Sequence, residues 1–156
     1  MIDKNKLCKF LVEAKKATYA AGDLANKVKE ADQSTTLVFE NSDWRYYDNY
    51  FGGEPFGGRE VVFLNNQPVY IMVYYGRVDE SIKDFNPVYK FLQEALALIS
   101  DSNPYRGPNK YEKDNFVYLN EFSGGIDNFS GAEKILQDGK EIYIAKYIGG
   151  LVDQKL

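Results

Sequence analysis

Two glutamates occupy matching places in the chain. Glu60 closes the stretch Phe56-Gly57-Gly58-Arg59-Glu60 and Glu133 closes Phe129-Ser130-Gly131-Ala132-Glu133, a shared Phe-x-Gly-x-Glu pattern. Each runs into strand-type residues rich in Val, Ile and Leu. A carboxylate in apolar company has two uses. It is held by the backbone N–H groups of the adjoining glycine loop and stitches that loop to the sheet, or it is left poised, with a raised pKa, for a cationic or amine-bearing ligand. Asp48, Glu60 and Glu133 could in principle support acid–base chemistry. No spacing among them is diagnostic of a reaction.

Tyrosine and arginine are the other chemical signals. The chain has 13 Tyr, 10 Phe and 1 Trp among 156 residues. Tyrosine seeks a dry ring and a partnered hydroxyl, and it is also simply a good strand residue. Arg106 lies in Pro104-Tyr105-Arg106-Gly107-Pro108. The stiff loop either offers the guanidinium to an anion or leaves it as a surface turn residue. The glycine-rich stretch 52–60 leads into a strand rather than a helix N-terminus, so it is a poor phosphate cradle. Its glycines are expected to mark bulges or tight bends.

The exclusions are sharper. There is no histidine, which removes Ser-His-Asp and Cys-His catalysis and every histidine-containing zinc site. Cys8 is alone, so no intrachain disulfide forms; it reads as a small buried residue without a base to activate it. No cofactor or metal is expected. Acidic residues exceed basic ones by 23 to 19, and no basic stripe suits nucleic acid. There is no apolar run of membrane length and no leader-like start, which points to a cytoplasmic chain.

The elements that must position these residues come in two sets. Gly52 to Gly76 aligns with Gly124 to Gly150, with one inserted residue. The identities are Gly52/Gly124, Gly53/Gly125, Phe56/Phe129, Gly58/Gly131, Glu60/Glu133, Tyr70/Tyr143, Ile71/Ile144, Tyr74/Tyr147 and Gly76/Gly149. Chance predicts roughly one or two. Phe10-Leu-Val-Glu-Ala14 likewise matches Phe91-Leu-Gln-Glu-Ala95. The reading is one domain, 1–156, holding pseudo-repeats 3–80 and 84–152.

Leu7, Phe10, Leu11, Ala14 and Ala21 keep a helical period. Val88, Phe91, Leu92, Ala95 and Ile99 do so again behind Asn86 and Pro87, a plausible N-cap and first helical residue. Thr36–Glu40 and Trp44–Tyr50 alternate as strands, and Asn65-Asn66 and Asp138-Gly139 are hairpin turns. Residues 21–35 are polar and expected to be mobile. The fold class is α+β, an internal duplication of two αβββ halves, with an antiparallel sheet and both helices on one face. Simple two-residue hairpins set Val62 opposite Val69 and Glu60 opposite Ile71, with Glu133 opposite Ile144. On that register Val62, Val69, Ile71 and Val73 lie under the helices, and Tyr70, Met72 and Tyr74 face away with Tyr143, Ala145 and Tyr147 in an aromatic groove.

The stretches FLVEAKKATYAAG, RYYDNYFGGEPFGGREVVF, QPVYIMVYYGRV, ALALISDSNPYRGPNKY and YIAKYIGG together resemble a bacterial domain family of unknown function. Its marks are YxDxYFGGxxFxGxE and PYRGP, and its members occur alone or behind helix-turn-helix regulators. The resemblance implies a standalone member, from a bacterium or its virus. A Ser-Arg-Pro-Gly-Ser-like loop is expected before the first strand, where this chain has Glu30-Ala31-Asp32-Gln33-Ser34. The duplicated plan is similar to that of gyrase-inhibitor-like effector-binding domains, an analogy of fold that raises the expectation of a ligand between the halves.

The leading function is therefore a non-catalytic domain that binds or sequesters a small molecule, nucleotide-like or planar, between the halves. Its expected lining is Tyr47, Tyr50, Tyr74, Tyr75 and Tyr147, with Glu60, Arg106 and Glu133 as orienting groups. The alternatives are a protein-interaction or homodimerisation module, with Trp44 and Tyr46 in an exposed patch, and a hydrolase using Glu60 and Glu133 as converging carboxylates.

Overall fold

The computed structural model describes residues 1–155. Helix α1 spans Lys4–Ala17 because Leu7, Phe10, Leu11 and Ala14 make one buried stripe and Asp3 caps it, accepting from the backbone N–H groups of Asn5 and Lys6. Its stripe continues one turn further onto Lys15, which is buried. The expected continuation through Ala21 does not occur: the helix stops at Ala17, and a 3₁₀ turn follows at Tyr19–Leu24. The segment expected to be mobile thus holds this turn and the short strand β1, Val28–Lys29.

Four strands follow as a meander: β2 Thr35–Asn41, β3 Trp44–Phe51, β4 Phe56–Leu64 and β5 Gln67–Val78. Helix α2, Asn86–Leu96, has its proline in the first turn and buries Val88, Phe91, Leu92 and Ala95. Its cap is Phe85 rather than Asn86. A second meander closes the chain: β6 Lys110–Lys113, β7 Phe116–Gly125, β8 Asn128–Gln137 and β9 Lys140–Leu151. The protein is α+β, and all nine strands join one antiparallel sheet in the order β1-β2-β3-β4-β5-β9-β8-β7-β6. Each half supplies more than the three strands expected, since the charged stretch Lys110–Lys113 also pairs. Among the described residues no helix is long and apolar enough to cross a membrane.

The two meanders meet at β5 and β9, where Tyr74 pairs with Tyr147. Outward from that seam the registers match. Asp48 lies opposite Glu60 and Glu60 opposite Met72, while Asn120 lies opposite Glu133 and Glu133 opposite Ala145. Asn65 and Asn66 have left-handed φ values of 51° and 65°, and Asp138 and Gly139 have 51° and 79°, as the tight hairpin turns require. A Cβ on Gly76 would stand 2.6 Å from Phe56, and one on Gly149 would stand 2.7 Å from Phe129.

One expectation about the faces is reversed. The register slips between Val62 and Phe63, and again between Ile135 and Leu136. Each bulge adds a residue on the partner strand, Val69 or Ile142, so Val62 pairs with Tyr70 and Glu60 with Met72. A one-residue slip exchanges the faces. Tyr46, Asp48, Glu60, Tyr70, Met72 and Tyr74 are therefore buried on the helix-covered side, with Tyr118, Asn120, Glu133, Tyr143, Ala145 and Tyr147. Val73, Tyr75 and Ile148 lie on the bare face at 49%, 58% and 60% exposure.

Candidate functional site

Alternation along β3 brings Tyr46, Asp48 and Tyr50 to the covered face, and pairing sets Glu60 and Tyr74 beside them. Over this floor α1 supplies Lys15, the 3₁₀ turn Tyr19, α2 Tyr89 and Gln93, and the loop after α2 Tyr105 and Arg106. The site is thus roofed in part by residues of the second half.

The carboxylate of the second half is fully served, although the Arg106 Nε beside it has no partner. Glu133, fully buried, accepts from Arg106 Nη2 at 2.5 Å, Tyr143 at 2.8 Å and Tyr118 at 2.6 Å. Asn120 donates to the Gly107 carbonyl at 3.0 Å and accepts from Tyr147 at 2.7 Å, and the Gly107 N–H donates to Tyr118 at 3.0 Å. The loop 104–108 thus seals this half with its own arginine and backbone. A buried ion pair persists where its remaining lone pairs are met by hydrogen bonds, as they are here.

The floor of the first half is not sealed. Glu60 has one cation, Lys15, whose Nζ lies 2.9 Å from Oε2 without hydrogen-bond geometry; the ammonium donates to the Tyr105 carbonyl at 2.5 Å. The hydroxyls of Tyr46 and Tyr70, which stand where Tyr118 and Tyr143 serve Glu133, have no partner. A cavity of about 20 Å³, the size of one water, adjoins Tyr46, Glu60 and Lys15. Asp48, 2% exposed, accepts from Tyr74 at 2.5 Å. It also lines a larger cavity of about 230 Å³, whose wall is Tyr19, Tyr50, Phe56, Tyr74, Tyr89 and Arg106 and whose rim includes Lys27 and Thr35.

The electrostatics follow from these contacts. Asp48, Glu60 and Glu133 are three buried carboxylates, and Lys15 and Arg106 are the two buried cations facing them. Burial, and then the Glu60 charge across the strand, push the Asp48 carboxyl up to about 7, against the lowering donation from Tyr74. Burial also pulls the Lys15 ammonium down, which Glu60 partly reverses. Tyr19, Tyr46, Tyr74 and Tyr89 are all raised by burial first and stay neutral. Such a site can hold a ligand by ring stacking and by one carboxylate near its titration point.

Of the residues expected to line a site, the structure gathers Tyr50, Tyr74 and Arg106 around the larger cavity and Glu60 around the smaller. Glu133 and Tyr147 belong to the sealed network instead. Tyr47 lies on the opposite side of β3 from Tyr46, and Tyr75 is on the bare face, so neither reaches the cavity. Tyr46, expected in an exposed patch, is fully buried. Neither glutamate is held by glycine-loop N–H groups; ammonium, guanidinium and tyrosine hydroxyls take that part. Arg106 is a buried partner of Glu133 rather than a free anion receptor. Glu60 and Glu133 do not converge, because β5 and β9 lie between their strands and set the backbones roughly 14 Å apart across the sheet.

Lys15 is a functional candidate that the sequence does not single out, and Asp48 stands there only as one of three carboxylates, outside the expected lining. Lys15 is four residues beyond Leu11, on the apolar stripe, which is a legible signal. Asp48 matches Asn120 when the repeat is extended upstream, since Tyr46-x-Asp48 and Tyr118-x-Asn120 stand equally far before the paired glycines. Among the described residues no cluster of three or more Cys, Asp or Glu side chains is arranged to hold a metal.

A family model described as Domain of unknown function (DUF5680) matches residues 48–152. No curated protein and no solved structure matches the chain.

Proposed function

We propose that this chain, which belongs to the DUF5680 family, is a small-molecule binding domain that arose by duplication and kept one of its two equivalent sites open. The observation that carries the reading is the 230 Å³ cavity with four tyrosines, one phenylalanine and a buried aspartate in its lining. Ligand sites are mostly apolar with a few convergent polar groups, and this cavity has that make-up. A dry cavity of about 150 Å³ holds benzene, so this one suits a ring with a short arm. The buried Asp48 in its lining, with Arg106 already paired to Glu133, speaks against a phosphate, which narrows a nucleotide-like ligand to its base or to another planar ring. In a member fused to a helix-turn-helix module, occupancy of this cavity would be the input that the module reads.

The test is a screen of ring-bearing fragments against the full chain by amide chemical shifts. Binding compounds should perturb Tyr50, Gly52, Gly53, Phe56 and Tyr74, and Tyr50→Ala should abolish those shifts. A blank screen would sink the reading. The second reading, an interaction module, is favoured by one observation: Val73 and Ile148 are paired and both about half exposed, beside exposed Tyr75. The sheet edges do not favour lengthening, because β1 has two residues and β6 carries Lys110, Glu112 and Lys113 outward. The mass of the assembly in solution decides that question.

A further inference from the structure

The two halves differ at one place in a way that names a ligand class. Tyr111 pairs with Tyr118, and Phe39 pairs with Tyr46, the residue in the same register. Counting five residues back from each sets Ser34 where the second half has Arg106. Ser34 is buried and uncharged, bonded to Asp32 and Asn49. The next residue, Thr35, lines the Asp48 cavity. The first half therefore has no guanidinium at that place, its Glu60 being served by Lys15 from α1, and it carries one carboxylate more, since Asp48 stands where the second half has Asn120. An ionised buried carboxylate requires a cation or a full set of donors. Asp48 has a single donor, Tyr74, and its remaining side opens on a cavity walled by aromatic rings.

We infer that the cavity takes a small aromatic cation, whose amidinium, guanidinium or ammonium group pairs with Asp48 as Arg106 pairs with Glu133. The inference rests on the binding reading above and gives it a chemical class. Tyrosine and phenylalanine faces favour the same charge. Arg106 lies 5.7 Å from the Tyr74 ring centre but is neutralised by Glu133. The charged or titratable groups facing Asp48 are Glu60 from β4, Tyr46 and Tyr50 from its own strand, and Tyr74 from β5. Lys15 comes from α1, Tyr19 from the 3₁₀ turn, Tyr89 from α2 and Arg106 from its loop, with Lys27 at the rim.

Benzamidine, benzamide and benzoate share one shape and differ in charge, which makes them the probes. Each is titrated into the full chain at pH 8, to about 10 mM, near the weakest affinity expected of a ligand this small. Benzamidine should bind at least tenfold more tightly than benzamide, with shifts centred on Tyr50, Phe56 and Tyr74. With Asp48 titrating at about 7, its affinity should fall about tenfold from pH 8 to pH 6. Asp48→Asn should erase both the preference and the pH dependence while benzamide binds as before. Asparagine already stands at the equivalent position 120, and the comparison of the three probes on the unmodified chain needs no variant. If benzamide or another neutral fragment occupies the cavity as tightly as benzamidine, the cation inference falls and the binding reading stands. If no compound of any charge occupies it, both fall.

Discussion

Replacing Asp48 by asparagine should stabilise this protein, and only above mildly acidic pH. The carboxyl titrates near 3.8 in an unfolded chain and at about 7 in the folded one. Between those values the native state holds a proton that the unfolded state has released. Stability therefore falls as pH rises through that window, and the contribution is intact only below pH 4. A displacement of about 3 units corresponds to about 4 kcal/mol at full extent, a large part of the 5–15 kcal/mol typical of a domain. The asparagine of Asp48→Asn would carry no charge, could accept from Tyr74 as Asn120 accepts from Tyr147, and could donate to Glu60 across the strand pair.

The assay is urea denaturation of both proteins from pH 4 to pH 8, with slopes compared to ensure that the same surface unfolds. The stability difference should be near zero at pH 4, climb by up to about 1.4 kcal/mol per pH unit, and level off above pH 7 at about 4 kcal/mol. The reciprocal change, Asn120→Asp, puts a second carboxylate opposite Glu133 and removes the donor to Gly107, so it should destabilise increasingly as pH rises. A difference between the unmodified protein and Asp48→Asn that is flat across pH 4 to 8 would refute the reasoning, because it would mean that the carboxylate is solvated or already paired.

Arg106→Met should cost about 3–5 kcal/mol in denaturant, since it leaves Glu133 buried without its cation. Tyr74→Phe removes the sole donor to Asp48, so carboxyl ¹³C shifts should report a titration displaced to still higher pH. Tyr147→Phe, its partner in register, leaves the Asn120 carbonyl oxygen without its donor and should cost about 1–3 kcal/mol with no such titration. Gly131→Ala should destabilise by at least about 2 kcal/mol by thermal or urea unfolding, because the new methyl would lie 2.4 Å from the Tyr147 ring and 2.8 Å from the Glu121 carbonyl.

The parts of the fold that were legible in the sequence are those set by local chemistry. Hairpin turns at Asn65-Asn66 and Asp138-Gly139 follow from residues that tolerate left-handed φ, and both helices follow from their apolar period. The face assignment failed because it depended on two bulges that no turn residue announces. Val69 and Tyr70 are adjacent and both buried, a pattern that strict alternation forbids, and every side chain from there to the cavity changes sides. The site was half legible for a related reason. Glu60 and Glu133 carried the repeat signal, but what each does is decided by Lys15 and Arg106, residues far away in the chain. Spacing along a sequence cannot show which cation a sheet carboxylate will meet. Gly58, expected to mark a bulge or tight bend, and its repeat partner Gly131 both sit within strands where neighbouring atoms leave no room for a side chain.

The contrast between the halves also supports the proposal that the open one is a site rather than a flaw. Lone buried carboxylates are expensive, and the remedy is visible within the same molecule: an asparagine at position 120, an arginine at 106 and two tyrosine hydroxyls on Glu133. The first half keeps the glutamate and both tyrosines but puts Asp48 where the remedy needs an amide and Ser34 where it needs an arginine. A single change to asparagine would relieve most of the strain at neutral pH. Stability alone therefore argues against the residue that is present. A group kept against stability, at the floor of a ring-lined cavity and near its titration point, is what a binding site for a cation requires. The cost should vanish when the cation arrives. Benzamidine at pH 8 should then stabilise the unmodified protein well beyond Asp48→Asn, which it should stabilise no more than benzamide does, whereas equal stabilisation of both would place the ligand's charge elsewhere and dissolve the argument.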